Sequence, residues 1–444
     1  MSLMSKDQAY ELMKKALSFS KADETEVNLY NSAAGNIRYA RNSVSTSGKV
    51  NNATLVVQCA FGKKVGTTTL NEFDDASIRK AVQRAEELAK LAPENEEYMP
   101  IMEQQQYAES PTFSQATADV SADYRTEVAR TSIELAQAKG LVAAGFFNDT
   151  ASMAAMMNSK GLAAYRKETE ARFNLTVRTA DGSGSGYCAR SVTDIARFSS
   201  KEASEFAVEK ARLSAGAVAI EPGKYTVILE PAAGVVLLEQ MFFNMDQRTA
   251  DEGRSFMSKK GGGTKVGEKM VDERVNMYSD PFDAALPTST WAQDGQVLRK
   301  ESWIEKGVVK QVPVSRYWAR EKNLKPIPSP STVIMQGGTA STEDLVRNTE
   351  KGILVTRLWY IREVDPQTVL LTGLTRDGTF LIENGKIKNP IKNFRFNESP
   401  VIMLNNLVEL GKQERVLSGE SDNSYLIPTM KIRDFTFSSL SDAV

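Results

Sequence analysis

Leu229-Glu-Pro-Ala-Ala-Gly-Val-Val-Leu-Leu-Glu-Gln-Met-Phe-Phe-Asn244 begins as the end of a strand and runs into a helix that is apolar on nearly every face. Such a helix belongs inside a core. The stretch therefore predicts a domain built around one buried helix, over about 235–245. Glu239 and Gln240 interrupt the run, and their simplest place is one exposed edge of that helix. Working outward, Tyr225 to Glu230 supplies the strand, and Ile220-Glu-Pro-Gly223 reads as a linker before it. From Val271 onward, short strand signals recur between the turns Lys306-Gly307, Asp377-Gly378 and Asn384-Gly385. One further helix is expected near 341–349, where Ser341-Thr-Glu-Asp344 carries cap chemistry. Residues 220–444 are thus expected to form a C-terminal, mainly antiparallel β domain, barrel- or sandwich-like, with one buried helix.

Before the linker the pattern is different. Ala9, Leu12, Met13, Ala16 and Leu17 fall on one face of a helix. Glu26–Asn31, Asn36–Asn42 and Thr54–Ala60 read as three strands separated by Gly, Ser and Asn turns, and Phe61-Gly62-Lys63-Lys64 as a hairpin into Val65–Leu70. A second helix follows Asp74 or Asp75 and ends before Pro93. After a polar connection over 94–115 the same order returns: a helix after Ser121, strands to Arg190, and a helix over about 199–214. Thr54-Leu-Val-Val-Gln-Cys-Ala-Phe-Gly62 aligns without a gap on Asn174-Leu-Thr-Val-Arg-Thr-Ala-Asp-Gly182, and Gly66 then meets Gly186. Residues 1–219 are read as an N-terminal α/β domain of two similar repeats, about 1–93 and 118–215, sharing antiparallel sheet. The whole is an α+β chain.

Composition narrows the chemistry. The 444 residues carry 55 basic and 56 acidic side chains, a formal net charge of −1, so the surplus of positive charge that drives nucleic-acid binding is missing. There is no histidine, where about nine would be ordinary. That removes Ser-His-Asp and Cys-His triads and His-ligated zinc. Cys59 and Cys188 are too few for a Cys-only zinc site or a disulfide scaffold, and read as reduced core thiols. No N-terminal signal peptide and no membrane-spanning run is read, which leads to the expectation of a cytoplasmic protein without a membrane role.

The segment 229–244 resembles one in the TldD/PmbA family (PmbA is also called TldE). Further matching segments are Gly267-Glu-Lys269, Asp280-Pro-Phe-Asp283, Asp294-Gly295, Lys306-Gly-Val308, Gly352-Ile-Leu-Val-Thr356, Phe380-Leu-Ile-Glu-Asn-Gly385 and Leu426-Ile-Pro-Thr-Met-Lys-Ile432. In order, they extend the resemblance over essentially the whole chain. The ending Ser424–Ile432 is more similar to the PmbA branch. TldD-type members of this family carry a zinc motif, His-Glu-x-x-x-His, on the buried helix. Laid on this chain, the first His position is Glu239, the catalytic Glu position is Gln240 and the second His position is Asn244. A late Cys ligand of active members has no counterpart in 417–425, which offers Ser418, Ser421 and Ser424. Glutamine cannot take a proton, and Glu and Asn are poor replacements for imidazole donors. Two ligands at i and i+5 stand about 140° apart on a regular helix and converge only if it is distorted. Phe243, where active members commonly have Gly, favours a regular packed helix.

The resemblance implies a two-chain metalloprotease system in which this chain is the partner without zinc, cofactor or catalytic residue of its own. It also implies a TldD-type paralogue as partner, a homo- or heterodimer, and peptide or unfolded protein as substrate. Two other classes stand beside it. One is a regulatory or peptide-binding module, described in this family as a modulator of DNA gyrase. The other is a free-standing non-metal hydrolase using carboxylates or a Ser with Lys as base, although no Ser-x-x-Lys stands in a convincing setting. The Gly-rich loop 258–265 has the composition of a phosphate cradle without P-loop spacing, and reads as a mobile loop or a segment near a substrate channel. Trp291, Trp303, Trp318 and Trp359 read as core or interface residues.

Overall fold

The computed structural model describes residues 3–421 and 423–441. Met1, Ser2, Asp422 and 442–444, which the sequence reading touches at both termini and in 417–425, lie outside the described residues. Ser5 opens α1 (Lys6–Phe19) with a capping box closed by Gln8. Strands β1 (Glu24–Ala40), β2 (Ser43–Phe61) and β3 (Lys64–Leu70) follow, then α2 (Asp75–Leu91). Asp74 is the cap of α2, its carboxylate accepting from the Ala76 and Ser77 amides. A short turn α3 (Gln115–Ala118) leads to α4 (Ala122–Gln137), β4 (Leu141–Asn158), β5 (Ala163–Thr179), β6 (Ser185–Val192) and α5 (Ser200–Leu213).

The six strands make one antiparallel sheet in the order β3-β2-β1-β4-β5-β6, with the two helix–three strands–helix units meeting at β1 and β4. Alternate residues of β1, Val27, Leu29, Ile37 and Tyr39, are buried on one face. They enter two clusters, the first under α1 and α2 and the second under α4 and α5. Two strands expected over 26–42 are one strand. Ser32-Ala-Ala-Gly35 has little strand propensity, but β2 pairs it on one side and β4 on the other. The turn falls instead at Arg41 and Asn42, with φ of 52° and 58°, the pair of positive angles a tight hairpin asks for.

Gly66 and Gly186 hold equivalent places. A Cβ on Gly66 would lie 2.1 Å from the Ala85 carbonyl and 2.3 Å from the Ala89 nitrogen; on Gly186, 2.1 Å from Ala207 and 2.5 Å from Ala211. Each glycine lets a helix rest directly on its strand. Gly66 pairs with Cys59, whereas Gly186 pairs with Val177. Superposing the glycines therefore sets Cys59, not Val57, on Val177. The gap-free sequence match misses this two-residue offset because the β5–β6 loop is longer, and an even offset leaves every side chain on its own face.

One edge is left open. β3 pairs with β2 only over Leu55–Phe61, so among the described residues the outer side of 43–54 has no strand beside it, and Ser43 to Asn52 are exposed. In the second unit, Thr112 and Ser114 bond to Lys167 and Thr169 on the corresponding stretch of β5.

The C-terminal region begins with β7 (Gly223–Leu229), α6 (Pro231–Phe243) and α7 (Gln247–Asp251). It continues through β8 (Met277–Ser279), β9 (Glu301–Glu305), β10 (Val308–Val309), α8 (Arg316–Lys322), β11 (Ile334–Met335) and α9 (Thr342–Arg347). It ends with β12 (Lys351–Asp365), β13 (Leu370–Glu383), β14 (Lys386–Pro390), β15 (Phe394–Glu398), α10 (Pro400–Asn405), β16 (Leu407–Leu417) and β17 (Ser424–Leu440). Within an 11-stranded sheet, β7, β12, β13, β15 and β17 pair in a closed ring. The sheet is mixed: β7–β12 and β11–β17 are parallel. The long connection from β7 to β12, carrying α6, supplies the crossover that parallel pairing needs. α6 packs on β12, β16 and β17.

Asp377-Gly378, read from sequence as a turn, is a bulge inside β13, with φ of 56° and 119°. The same positive angles serve either purpose. The bulge drives Asp377 into the seam between the two halves, where it accepts from Ser185 Oγ at 2.5 Å and Arg357 Nη1 at 3.0 Å. Asp377→Asn keeps the backbone preference and removes only the charge. It is expected to cost about 3 kcal/mol by leaving the Arg357 guanidinium unneutralised, measured as a lower urea midpoint against wild type.

Candidate functional site

α6 brings Glu239 to the tip of the β16–β17 hairpin. Glu239 is 1% exposed, so the expectation of an exposed edge is corrected for this residue. The helix is enclosed by β12, β16 and β17, which leaves position 239 no route to solvent. Its carboxylate is enclosed by hydroxyls. Oε2 accepts from Ser418 Oγ at 2.5 Å, and Oε1 from Tyr425 OH at 2.7 Å and from Ser421 Oγ. The two serine oxygens in turn accept from the Glu420 and Asn423 amides, each at 3.2 Å, which holds the tip in shape. Burial, together with the neighbouring Glu239 carboxylate, pushes the Tyr425 phenol far above its ordinary range, so it stays a donor.

Gln240 is half-buried and, among the described residues, its side chain makes no hydrogen bond; its carbonyl accepts from Asn244 Nδ2 at 3.0 Å. Asn244 ends the helix and turns to Glu363 Oε2 at 2.9 Å. The three motif positions therefore do not converge. α6 is regular, as Phe243 predicts, yet Phe243 is itself 60% exposed rather than packed. Of the three serines, Ser418 and Ser421 meet Glu239, while Ser424 faces β5 and β6, bonding to Glu170 Oε1 at 2.9 Å and Ser191 Oγ at 2.7 Å. Tyr425 takes its place in the cage. Strand alternation supplied the signal, because 424 and 425 point to opposite sides of β17.

Zinc asks for imidazole, thiolate or carboxylate donors around one point. Among the described residues a single carboxylate is there, already bound by three donating hydroxyls, and Asn244 looks elsewhere. The donor set does not fit the metal. The Gly-rich loop closes as a small hairpin, with the Lys259 amide bonding to the Gly263 carbonyl at 2.9 Å. Lys259 pairs with Glu268 and Lys265 with the Phe256 carbonyl, which commits two of its three lysines. Trp303 is 1% exposed and donates to Ser279, while Trp318 donates to Asp251. Both cysteines are free and buried. Among the described residues no helix is long and apolar enough to cross a membrane.

Sequence profiles of the PmbA/TldA metallopeptidase family match in two places, its domain 1 over residues 25–89 and its C-terminal domain over 222–439. No curated protein matches the chain. Among solved structures, TldE from Thermococcus kodakarensis superposes with a TM-score of 0.83 at 21% identity, over 97% of this chain and 99% of that one. A protein from Thermotoga maritima that carries the name modulator of a DNA gyrase gives 0.85 at 15% identity, over 97% and 100%. One of like name from Bacteroides thetaiotaomicron gives 0.85 at 19%, over 98% and 100%. At these identities the likeness speaks for the fold. With both ends of the chain matched by profiles of one family, and the same fold from end to end in its neighbours, this chain belongs to the TldD/PmbA family.

Proposed function

We propose that this chain is the PmbA/TldE-like subunit of a two-chain cytoplasmic peptidase, paired with a TldD-type paralogue that carries the zinc. The observation that carries the proposal is the hydroxyl cage around Glu239. At the position where a zinc-bearing relative needs a metal ligand, this chain has a carboxylate satisfied by its own Ser418, Ser421 and Tyr425. Such a site contributes packing and shape. The substrate class is a peptide or unfolded protein, and the role of this chain is to bind or to wall the path to the partner's metal. Two structural neighbours carry the name modulator of DNA gyrase, which favours as second reading a regulatory module acting on another protein. The net charge of −1 speaks against direct DNA contact.

The purified chain alone is expected to leave unfolded peptides uncut and to retain well under one zinc per molecule. Mixed with a paralogue bearing His-Glu-x-x-x-His it should co-elute on gel filtration, and cleavage should appear and vanish with a chelator. Chelator-resistant cleavage by this chain alone would turn the assignment to a free-standing hydrolase. Full activity of the paralogue without it would turn it to the regulatory module.

A further inference from the structure

A second polar site lies at the other end of α6, about 14 Å along the helix from Glu239, and owes nothing to the reading of the cage. A cavity of about 260 Å3 opens there between β6, the first turn of α6 and β16. Glu230 caps α6 at its floor and is 7% exposed. One carboxylate oxygen accepts from Lys210 Nζ at 2.6 Å, while the other, Oε2, has no hydrogen-bond partner among the described residues. A buried carboxylate oxygen with no donor is costly. Arg190 of β6 lines the same cavity. Its guanidinium makes one hydrogen bond among the described residues, to the Ala189 carbonyl at 2.9 Å, and keeps most of its fork uncommitted. Phe206 gives an apolar wall, its ring 5.5 Å from Arg190 and 5.2 Å from Lys210. At the rim stand exposed side chains of both signs, Lys412, Glu343 and Glu414.

This arrangement selects by charge pattern. A simple anion would satisfy Arg190 and leave Glu230 Oε2 without a donor. A simple cation would satisfy Glu230 and be repelled by Arg190 and Lys210. A molecule with a carboxylate at one end and an ammonium at the other answers both, the carboxylate on the planar guanidinium fork and the ammonium on Glu230 Oε2. The volume admits one small molecule rather than a chain. We propose that this cavity binds a small zwitterion, a free α-amino acid or a dipeptide, with its side chain against Phe206.

Calorimetric titration of the full chain with four probes tests this. L-leucine and L-alanyl-L-alanine are expected to bind. N-acetyl-L-leucine, which lacks the ammonium, and L-leucinamide, which lacks the carboxylate, should each bind about tenfold more weakly or not at all, as loss of one charged hydrogen-bonded contact requires. Arg190→Gln should weaken leucine about tenfold or more while weakening leucinamide little. Absence of leucine binding at concentrations on the order of ten millimolar would overturn the proposal, as would equal binding of leucine and its two blocked forms. The probe comparison on the wild-type chain decides the matter even if the Arg190 variant folds poorly.

Discussion

Gly186→Ala is expected to leave the chain less stable by about 3 kcal/mol or more, at the upper end of overpacking penalties. The added methyl would sit 2.1 Å from the Ala207 carbonyl oxygen and 2.5 Å from the Ala211 nitrogen. Both are backbone atoms of α5, so relief requires lifting the helix off its sheet. Gly186 does not have a positive φ, so the penalty is steric. With room available, the same substitution would stabilise by about 0.4–1 kcal/mol through the unfolded chain. Gly66→Ala should behave alike, since its methyl would meet Ala85 and Ala89 of α2 at 2.1 and 2.3 Å. The two sites share no partner, so their costs should add. Gly48, on the exposed part of β2 with nothing within 4 Å, is the control and should tolerate alanine. Denaturant midpoints of the three single variants and the 66/186 double variant measure this. Wild-type stability in Gly186→Ala would show that α5 does not rest on β6 as described.

The second large effect separates structure from catalysis. Glu239→Ala is expected to cost about 3–5 kcal/mol, because Ser418, Ser421 and Tyr425 lose their common acceptor in a buried place. Tyr425→Phe removes one donor and should cost about 1–2 kcal/mol. Gln240→Ala should stay within about 0.5 kcal/mol, because its side chain makes no hydrogen bond among the described residues. In the mixed assay with the zinc-bearing paralogue, run below the unfolding temperature, all three variants should retain nearly full cleavage. The opposite pattern, a stable Glu239→Ala chain that abolishes cleavage, would make this carboxylate part of the chemistry and end the proposal of a non-catalytic subunit.

Much of the architecture was legible in local pattern. Apolar spacing and cap residues placed α1, α2, α4 and α5, with Asp74, Ser121 and Ser199 at their starts. The continuous apolar run placed α6. Gly66 and Gly186, matched in sequence, each lie under a helix, and the close helix–strand contact explains why that residue type stands at both places. What local pattern could not show depends on partners distant in sequence. β1 is continuous because β2 and β4 hold its weak centre. The bulge at Asp377-Gly378 looked like a turn because left-handed angles do not say whether the chain reverses. Glu239 looked like a surface residue because its three donors lie about 180 residues downstream, at separations of 179, 182 and 186. No periodicity reports a contact of that range.

The open margin of β2 bears on how this protein behaves as a colloid. From Ser43 to Asn52 its outer side has no strand beside it among the described residues and faces water, with Lys49 as its one charged side chain. A lysine at such a margin discourages a second margin from docking, since like charges would be brought together. The molecule as a whole adds little to that defence. Its net charge is −1 at pH 7 and its isoelectric point lies near 6.0, so long-range self-repulsion is almost nil in that range. At this margin, among the described residues, the guard against ribbon-like pairing is the Lys49 ammonium group, whose reach shrinks as salt is added.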